Sequence, residues 1–430
     1  MKKLKDKINK KKIIIGIVGL GYVGLPLFSR FADVGIKVYG FDIDKEKIRK
    51  LKKGISYIKH VDFEFLKKTQ IKGCKFESNY SLISQVDVII LCLPTPLKKN
   101  QTPELKYIKD TIKRIKKFMR AGQVLSLEST TYPGTTEELI APAISKKFNL
   151  GKNYFLVYSP EREDPGRKNV LLKNIPKVLG GYTKQCTLIG AKIYKFAFKK
   201  IVKVDSLKIA EFTKLLENIY RSVNIGLVNE LKIIADKMDI NINKVIKASS
   251  TKPFGYQPFF PGPGLGGHCI PIDPFYLTWK AKQFGLDTKF IKLSGVINRE
   301  ITTWVVSKLL KNLKNLKNSN PKILIIGVAY KKNIDDIRES PSLKIMEMLS
   351  KKKISFQYFD PYIKKLYRNR NFYKKLSSIN MTQNKLKSFD ATIIVTDHDN
   401  INWEMVRKNS KLVLDSRNVY KQKFNNVISV

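Results

Sequence analysis

The stretch IIIGIVGLGYVG, residues 13–24, decides the fold of this 430-residue chain. The run from Ile13 to Val18 is continuous and rich in β-branched residues, which is typical of a strand buried on both faces. Three glycines follow in the spacing G-x-G-x-x-G, and a helical pattern from Tyr22 to Asp33 and a second strand from Lys37 to Asp42 complete a βαβ unit. This context predicts a turn that cradles a dinucleotide pyrophosphate.

Each glycine of the turn has a separate task. Gly19 permits the tight turn, Gly21 lets backbone N–H groups approach the pyrophosphate, and Gly24 lets the helix pack close to the strand. Tyr22 and Val23, which lie between them, are assigned to the same cofactor site. A glycine turn without a ligand is the alternative, and the strand–turn–helix context disfavours it.

Asp42 predicts which dinucleotide is bound. It ends the second strand, 18 residues beyond Gly24. A carboxylate at this place can accept hydrogen bonds from an adenosine ribose and repels a 2′-phosphate, which favours NAD over NADP.

The rest of the chain predicts two α/β halves around a helical middle. Further buried strands are expected at Val86–Leu93, Gln123–Leu127 and Tyr154–Tyr158, and one helix of roughly 30 residues begins at Ser206. After Pro321 a second set of strands and helices follows. The predicted fold class is therefore α/β, with two Rossmann-like doubly wound domains joined by a long central helix and a helical middle domain.

The domain boundaries are expected at 1–205 for the NAD-binding Rossmann domain, 206–310 for the central helical and dimerisation domain, and 318–430 for the C-terminal Rossmann-like domain. Lys311–Asn320 is the predicted linker, and Pro253–Pro274 a loop rich in glycine and proline. The long helix is a candidate dimer surface, which predicts a homodimer or a higher homo-oligomer.

The chain is strongly basic, with 82 Lys+Arg against 36 Asp+Glu and a formal net charge of +46. Only 13 of the basic residues are arginines, and the lysines spread along the whole chain. Nucleic-acid-binding proteins usually gather their charge on one face, so we interpret the excess as compositional bias and expect no nucleic-acid partner. A hydrophobic share of 43% excludes general disorder.

The four cysteines include no C-x-x-C pair, and the three histidines are scattered. This excludes a disulfide scaffold and a zinc ribbon, so we expect no metal and a reduced, cytoplasmic protein. The basic N-terminus and the apolar run to Phe28 resemble a signal peptide superficially, but the glycine turn fills the supposed apolar core. No segment reaches the ~20 apolar residues of a membrane span, so no membrane insertion is expected.

Two groups of residues are candidates for catalysis. Cys269 lies in PGPGLGGHCIPIDP, residues 261–274, where close-lying backbone can bind an anion beside a nucleophilic thiol. Lys214 and Asn218 stand four residues apart on the long helix and can polarise a substrate oxygen. The alternatives are a small buried cysteine and a solvated helix face.

Polar residues also follow the predicted strands, at the carboxyl ends where parallel sheets bind ligands. Thr95, Thr131 and Glu161 come after strands of the first half, and Lys331 and Arg338 follow a strand of the second half. Each residue of the first half alone indicates an ordinary turn, and Thr95, Thr131 and Glu161 together outline one crevice.

Five motifs in this order resemble the UDP-sugar 6-dehydrogenases: GLGYVGLP (19–26), STTYPGTT (129–136), EFTKLLEN (211–218), GGHCIPIDP (266–274), and the segment from Tyr330 to Pro341. The resemblance extends from Ile15 to about Asp415 and is strongest to the UDP-N-acetyl-D-glucosamine branch. It implies that two NAD⁺ and one water oxidise the C6 alcohol of a UDP-sugar to a carboxylate.

The resemblance also implies residue roles. Cys269 would carry a thiohemiacetal and then a thioester, with Lys214 and Asn218 stabilising oxyanions. Asp273 would act through a bound water, Glu161 would assist thioester hydrolysis, and Thr131 would order water near the nicotinamide. NAD would be held by Gly19, Gly21, Gly24, Asp42, Thr95 and Arg338. The UDP-sugar would be held by Arg162, Lys331 and the loop from Tyr256 to Gly264, including Gly262.

One departure from the family pattern bears on the substrate. UDP-glucose dehydrogenases carry a second glutamate where this chain has Pro165, so Glu163 and Asp164 are further candidates for the hydrolytic base. UDP-N-acetyl-D-mannosamine and UDP-glucose stay open as substrates. A non-enzymatic protein that binds nucleotides or polyanions through its positive charge is the alternative from another class.

Overall fold

The computed structural model describes residues 2–58, 64, 67–68, 73–98, 100–163, 171–267, 269–314, 320–367 and 375–430, with the backbone alone at Cys269. The chain divides into two compact units, which are residues 1–217 with 275–285 and residues 218–274 with 286–430. We call them unit 1 and unit 2. The three domain boundaries expected from the sequence stay a prediction.

The helices of the described residues are α1 (Lys2–Asn9), α2 (Gly24–Asp33), α3 (Lys45–Lys52), α4 (Lys106–Ile115), α5 (Ala141–Ser145), α6 (Lys184–Tyr194), α7 (Leu207–Lys237), α8 (Ile242–Ser249), α9 (Cys269–Lys282), α10 (Lys289–Lys314), α11 (Pro341–Lys351), α12 (Gln383–Lys387) and α13 (Trp403–Asn409). Within these described ranges, no helix is both long enough and apolar enough to cross a membrane.

The strands are β1 (Ile14–Val18), β2 (Lys37–Phe41), β3 (Lys75–Glu77), β4 (Val88–Leu91), β5 (Val124–Leu127), β6 (Phe155–Tyr158), β7 (Lys177–Gly181), β8 (Ile201–Val204), β9 (Lys322–Ile326), β10 (Ser355–Phe359), β11 (Lys365–Leu366), β12 (Leu376–Ser377), β13 (Ala391–Ile394), β14 (Val413–Asp415) and β15 (Val427–Ser429).

Unit 1 is built on an eight-stranded sheet in the order β3-β2-β1-β4-β5-β6-β7-β8. All neighbouring strands are parallel except β6 and β7. The chain order reverses between β1 and β4, so the loops that follow these two strands diverge and leave a crevice at their carboxyl ends. This is the predicted doubly wound arrangement, and its switch point is at the glycine turn after β1.

Unit 2 contains a five-stranded, fully parallel sheet in the order β10-β9-β13-β14-β15. Its order reverses between β9 and β13, which places a second crevice at the loops after those strands. The prediction of two Rossmann-like sheets is therefore confirmed. The two-stranded ribbon of β11 and β12 completes the strands of this unit.

The predicted long helix is α7, which runs without a break for 31 residues. Leu207, Ala210, Leu215 and Ile219 are buried along it. Much of its apolar stripe is nevertheless exposed: Ile209, Phe212, Leu216, Tyr220, Leu227, Leu231 and Ile234.

Two predicted loop segments are partly helical. The expectation of a loop over Pro253–Pro274 is wrong at its end, because α9 already begins at Cys269. Pro271 falls in the first turn of α9, where a missing N–H group removes no helical hydrogen bond, and only Pro274 lies deeper in the helix.

The predicted linker Lys311–Asn320 is wrong at its start, because α10 continues to Lys314. Leu309 and Leu313, four residues apart, are both buried and extend the apolar stripe of the helix. Residues 315–319 lie outside the described residues.

Candidate active site

The glycine turn of unit 1 is shaped for a ligand. Gly19 has φ of +93°, and a Cβ atom there would lie 2.3 Å from the carbonyl oxygen of Cys92. A Cβ atom at Gly24 would lie 1.8 Å from the carbonyl oxygen of Gly19. No described atom comes within 4 Å of the corresponding position at Gly21, so the backbone there faces open space. Side chains are therefore excluded at Gly19 and Gly24, and the open backbone at Gly21 is the place that the sequence predicts for a pyrophosphate.

The helix after this turn begins without a side-chain cap. Val23 precedes α2, and its side chain accepts no hydrogen bond from the first turn. Tyr22 stands just before it. In the first turn of α2, the Leu25 and Leu27 amides donate to the carbonyl oxygens of Gly21 and Val23, and Pro26 has no N–H group. The Gly24 amide is the group of this turn that an anion can reach.

Asp42 follows β2 and is 8% exposed. Its Oδ2 accepts a hydrogen bond from the Leu20 amide at 2.9 Å, and its Oδ1 accepts one from the Asp44 amide at 3.0 Å. The Lys47 ammonium lies 3.7 Å from Oδ2. Each carboxylate oxygen has a second acceptor direction, so the group is held rigidly and can still bind a ribose hydroxyl.

Two threonines line the loops after neighbouring strands of the same sheet. Thr95 follows β4, and its carbonyl oxygen accepts a hydrogen bond from the Tyr276 hydroxyl at 3.1 Å. Thr131 follows β5 and is fully buried. Its Oγ1 is one of two buried side-chain polar atoms without a hydrogen-bond partner among the described residues. A buried hydroxyl without a partner is costly, and a bound ligand or water would satisfy it.

The loop that carries Thr131 is anchored to α7 by Glu211, a residue that sequence reasoning missed. The buried Glu211 carboxylate accepts hydrogen bonds from the Gly134 amide at 2.5 Å, the Thr136 amide at 2.9 Å and the Thr136 hydroxyl at 2.7 Å. Burial raises the pKa of Glu211 to about 7, and these hydrogen bonds oppose the rise. Glu211 lies one turn before Lys214, so it ties this loop to the helix that carries a candidate catalytic lysine.

Lys214 is buried, with 8% of its surface exposed. Among the described residues, no carboxylate lies within ion-pair distance of its ammonium. This burial disfavours the alternative of a solvated helix face, because lysine is seldom buried without a partner.

Glu161 and Arg162 lie in the loop after β6. The Glu161 carboxylate accepts hydrogen bonds from the amides of Arg162 and Glu163 at 2.7 and 2.6 Å. The Arg162 guanidinium pairs with Glu217 at 2.6 Å and donates to the Pro176 carbonyl oxygen at 2.6 Å. It therefore already has two partners in unit 1. Asp164 and Pro165 lie outside the described residues.

In unit 2, two candidate catalytic residues that are far apart in sequence meet. The Asn218 side-chain amide of α7 donates a hydrogen bond to Oδ2 of Asp273 on α9. Asp273 is 2% exposed and follows Cys269, the first residue of α9, by one helical turn. The Cys269 side chain lies outside what the structure describes. The backbone nevertheless places the candidate nucleophile at a helix N-terminus, which favours a thiolate.

The glycine-rich loop before Cys269 packs on the loops of the second sheet. The Gly267 amide donates to the Arg338 carbonyl oxygen at 2.8 Å, and the Gly262 amide donates to Oδ1 of Asn229 at 3.0 Å. Gly264 has φ of +139°, and a Cβ atom there would lie 2.5 Å from Oγ1 of Thr302. The predicted substrate loop is therefore fixed against the turn after β9. Tyr256, at the other end of this loop, is exposed.

Arg417 is a cation of this region that sequence reasoning did not single out. It follows β14, and its Nη1 would lie 2.7 Å from a Cβ atom at Gly262. Its Nε donates to the Val395 carbonyl oxygen at 2.7 Å, and no described carboxylate lies within ion-pair distance. Burial lowers the pKa of Arg417. The signal was present in the sequence as an arginine directly after a strand of a parallel sheet.

Two predicted ligand-binding cations lie in the loop after β9. Lys331 is half-buried there. Arg338 pairs with Asp336, with Nη2 at 2.6 Å from Oδ2, and its Nε lies 2.9 Å from the same oxygen.

Asp360 occupies in the second sheet the position that Asp42 occupies in the first, directly after the second strand. It is fully buried, and its Oδ2 accepts hydrogen bonds from the amides of Val328 and Ala329 at 2.7 and 3.0 Å. His398 Nε2 lies 3.1 Å from the same oxygen. Oδ1 accepts hydrogen bonds from the amides of Tyr362 and Ile363 at 2.8 and 3.0 Å.

The predicted site residues thus divide between the two units. Those in unit 1 are Gly19, Gly21, Tyr22, Val23, Gly24, Asp42, Thr95, Thr131, Glu161, Arg162 and Lys214. Those in unit 2 are Asn218, Tyr256, Gly262, Gly264, Cys269, Asp273, Lys331 and Arg338. The part of the chain that the structure describes holds no cluster of three metal-ligating side chains.

Three family profiles match nearly the whole chain. They are the NAD binding domain of the UDP-glucose/GDP-mannose dehydrogenase family at residues 13–198, its central domain at 208–300 and its UDP binding domain at 324–422. The chain belongs to this family. It is an NAD-dependent UDP-sugar dehydrogenase, so the prediction of an enzyme is confirmed against the polyanion-binding alternative.

Individual relatives carry two different substrate names. The UDP-N-acetyl-D-glucosamine 6-dehydrogenase of Pseudomonas aeruginosa is 35% identical over 358 residues, covering 82% of this chain and 84% of the relative. The UDP-N-acetyl-D-mannosamine dehydrogenase of Pyrococcus horikoshii is 31% identical over 420 residues, covering 95% and 96%. A solved structure of UDP-D-ManNAc dehydrogenase from the same archaeon matches with a TM-score of 0.86 and 30% identity, covering 97% of this chain and 98% of that one.

Proposed function

We propose that this enzyme oxidises the C6 hydroxyl of UDP-N-acetyl-D-glucosamine to the carboxylate through intermediates bound to Cys269. The observation that carries the proposal is the hydrogen bond from Asn218 to Asp273, one turn beyond Cys269. It joins the long helix to the helix of the candidate nucleophile, as a site that handles an oxyanion next to a thiol requires. The product is a sugar nucleotide for surface polysaccharide synthesis.

The residues of unit 1 fit NAD. Gly19 and Gly24 allow the tight turn, and Gly21 leaves open space for the pyrophosphate. Asp42 is assigned to the ribose and the buried Thr131 hydroxyl to the water near the nicotinamide. When bound, NAD⁺ accepts a hydride in each of the two oxidations. Tyr22, Val23, Thr95 and Arg338 are proposed as further contacts.

The protein's own residues handle the intermediates between the two oxidations. The Cys269 thiolate attacks the C6 aldehyde, and the resulting thiohemiacetal oxyanion is stabilised by the Lys214 ammonium and the Asn218 amide. After the second oxidation a thioester remains on sulfur. One water attacks its carbonyl carbon, Glu161 takes the proton, and the carbon–sulfur bond breaks to release the carboxylate and the thiol. Asp273 holds a bound water, which accepts the protons released when the substrate is oxidised.

The UDP moiety is assigned to unit 2. Lys331, Arg417 and the backbone amides of the loop from Tyr256 to Gly264 supply positive charge and donors for a diphosphate. Gly262 supports this assignment, because a Cβ atom there would lie 2.7 Å from the Arg417 guanidinium. Arg162 is proposed to contact the substrate through its edge that does not face Glu217.

The substrate proposal rests on the motif variants shared with the N-acetylglucosamine branch and on the relative with 35% identity. UDP-N-acetyl-D-mannosamine is the second candidate, supported by the name of the relative with 31% identity, and UDP-glucose is the third. Initial rates of NADH formation with the three UDP-sugars decide among them. We expect the highest kcat/KM with UDP-N-acetyl-D-glucosamine, and a higher value with another sugar would reassign the substrate.

Replacing the nucleophile tests the covalent route. Cys269→Ser is expected to abolish uronate formation, a loss of about a thousand-fold or more, because an alkoxide forms far less readily than a thiolate. Product is measured by chromatography. Cys186→Ser, at a buried cysteine of α6, is the matched control and should keep normal turnover. Normal uronate formation by Cys269→Ser would contradict the covalent route.

The environment and assembly of the protein are also proposed. Cys74, Cys92 and Cys186 are free thiols, which suits the reducing cytoplasm. The exposed apolar residues of α7 support a homodimer.

A further inference from the structure

A fully buried ionic cluster lies behind Glu161 in unit 1. Lys177 on β7 donates to Oε2 of Glu128 at 2.5 Å and to the Pro160 carbonyl oxygen at 3.0 Å. The Tyr194 hydroxyl of α6 donates to the other carboxylate oxygen of Glu128. The side chain of Lys177 is 2% exposed and that of Glu128 is fully buried. We call Lys177, Glu128 and Tyr194 the buried triad.

Stability alone does not account for this triad. Removing two charges from water costs several kcal/mol per ion, and apolar side chains of the same size can stabilise a core equally well. Burial raises the pKa of the Glu128 carboxyl to about 7, although the Lys177 ammonium opposes the rise. Burying these charges therefore lowers the stability of the fold. Their contact with the neighbouring loop that carries Glu161 suggests a role other than stability.

The triad reaches that loop through one further contact. Oε2 of Glu161 lies 3.6 Å from the Lys177 ammonium. Oε1 of the same carboxylate accepts two hydrogen bonds from amides of its own loop, those of Arg162 and Glu163. One oxygen is thus held by the backbone, and the other faces a buried cation that also holds the preceding Pro160 carbonyl.

We propose that Lys177, held in place by Glu128 and Tyr194, is the positioning residue that orients Glu161 for hydrolysis of the Cys269 thioester. This rests on the proposed function, in which Glu161 takes a proton from the attacking water. Lys177 acts by Coulomb attraction and by fixing the backbone at Pro160, and it exchanges no proton in the step. Its loss therefore slows thioester hydrolysis and leaves the two oxidations that precede it intact.

The experiment separates these steps by following the covalent intermediate. Lys177→Met leaves Glu128 buried without its cation, so it is made in a Glu128→Gln background and compared with Glu128→Gln alone. Each protein is mixed with UDP-N-acetyl-D-glucosamine and NAD, quenched in acid, and examined by intact-protein mass spectrometry. Glu161→Gln is the reference for slow hydrolysis. Lys7→Met, which removes a lysine from an ion pair with Asp87, is the matched control.

We expect the double variant to accumulate the thioester as Glu161→Gln does. Its steady-state rate should fall about ten-fold or more below that of Glu128→Gln, whereas the burst of NADH and the kcat/KM for the sugar should stay within about two-fold. Lys7→Met should show no accumulation. Lys177→Gln in the Glu128→Gln background is the second variant, and it should accumulate the thioester as well.

Other outcomes overturn the inference. Hydrolysis in the double variant as fast as in Glu128→Gln would show that Lys177 does not position Glu161. An equal fall of burst and steady-state rates, or failure of both Lys177 variants to fold, would show that the triad is only structural. An unsubstituted enzyme that forms NADH with none of the UDP-sugars would overturn the proposed function, and the inference with it.

Discussion

Asp42 combines two tasks in one side chain. Its carboxylate oxygens accept hydrogen bonds from the amides of Leu20 and Asp44, which fixes the glycine turn relative to the end of β2. The same negative charge is proposed to bind an adenosine ribose. A neutral side chain of the same shape would keep part of the first task and lose the second.

Asp42→Asn is expected to raise the KM for NAD and reduce discrimination against NADP by about ten-fold each, because a charged hydrogen bond of about 1.5–3 kcal/mol and the repulsion of a 2′-phosphate are both lost. The measurement is kcat/KM with both cofactors. Asp44→Asn is the matched control, since Asp44 is exposed and asparagine also caps helices well. If the ratio of the kcat/KM values for NAD and NADP were unchanged in Asp42→Asn, the assignment of Asp42 to the ribose would be contradicted.

Among single residues, the sequence predicted candidate site residues that local spacing marks and missed those that depend on long-range contacts. Asp42 was predicted from its distance to the glycine motif, and Asn218 from its spacing of four residues from Lys214. Glu211 and Lys177 depend on contacts between segments separated by many residues, and no local pattern marks such contacts. Arg417 was not singled out, although it closely follows the strand β14. Cys269 was recognised from its motif, but its place at a helix N-terminus was not.

At the scale of elements, α7 has two different faces. One face buries Leu207, Leu215 and Ile219, and the other exposes apolar side chains along most of its length. Leu227, Leu231 and Ile234 are 52%, 39% and 49% exposed. Apolar side chains exposed in a row along one element mark a surface that another protein covers, and a second copy of this chain is the proposed partner.

Leu227→Glu tests this assembly. A carboxylate placed in an apolar interface would be desolvated without a partner, so we expect association to weaken about a hundred-fold. Light scattering after size-exclusion chromatography should show the monomer mass for the variant and twice that mass for the unsubstituted protein. Tyr107→Glu, at a residue 44% exposed on α4, is the matched control. A monomer mass for both proteins would contradict the homodimer.

Elements were predicted best where apolar patterns were long. β1, β2 and the 31-residue α7 follow directly from periodicity. The helix α1 was not predicted, because Leu4 and Ile8 are its only buried residues in a lysine-rich segment. The extent of α9 was missed because proline normally ends helices, and sequence alone does not show that Pro271 falls in a first turn.

For the whole molecule, the net charge of +46 comes mostly from lysines that are not candidate catalytic residues. The candidate catalytic residues are few, and the lysines are spread over both units. NAD and UDP-sugars are anions, however, so a positive field attracts both.

The KM for the UDP-sugar is expected to rise several-fold between about 0.02 and 0.5 M ionic strength, because salt screens long-range attraction. The value of kcat should stay constant, since the steps after binding take place in contact with the protein. Steady-state kinetics in a series of sodium chloride concentrations provide the measurement. A KM indifferent to salt would show that the excess lysine does not serve substrate capture.

The two aspartates that follow the second strand of each sheet differ in the number of donors around their carboxylates. In the first sheet, Asp42 has one protein donor on each carboxylate oxygen. In the second, four backbone amides and His398 surround the Asp360 carboxylate and leave no direction open for a ribose diol. With NAD on the first sheet as proposed, the two folds would differ in the vacant lone pairs of these carboxylates rather than in strand order. Redesigning the second sheet to accept a dinucleotide would require removing donors before adding any contact.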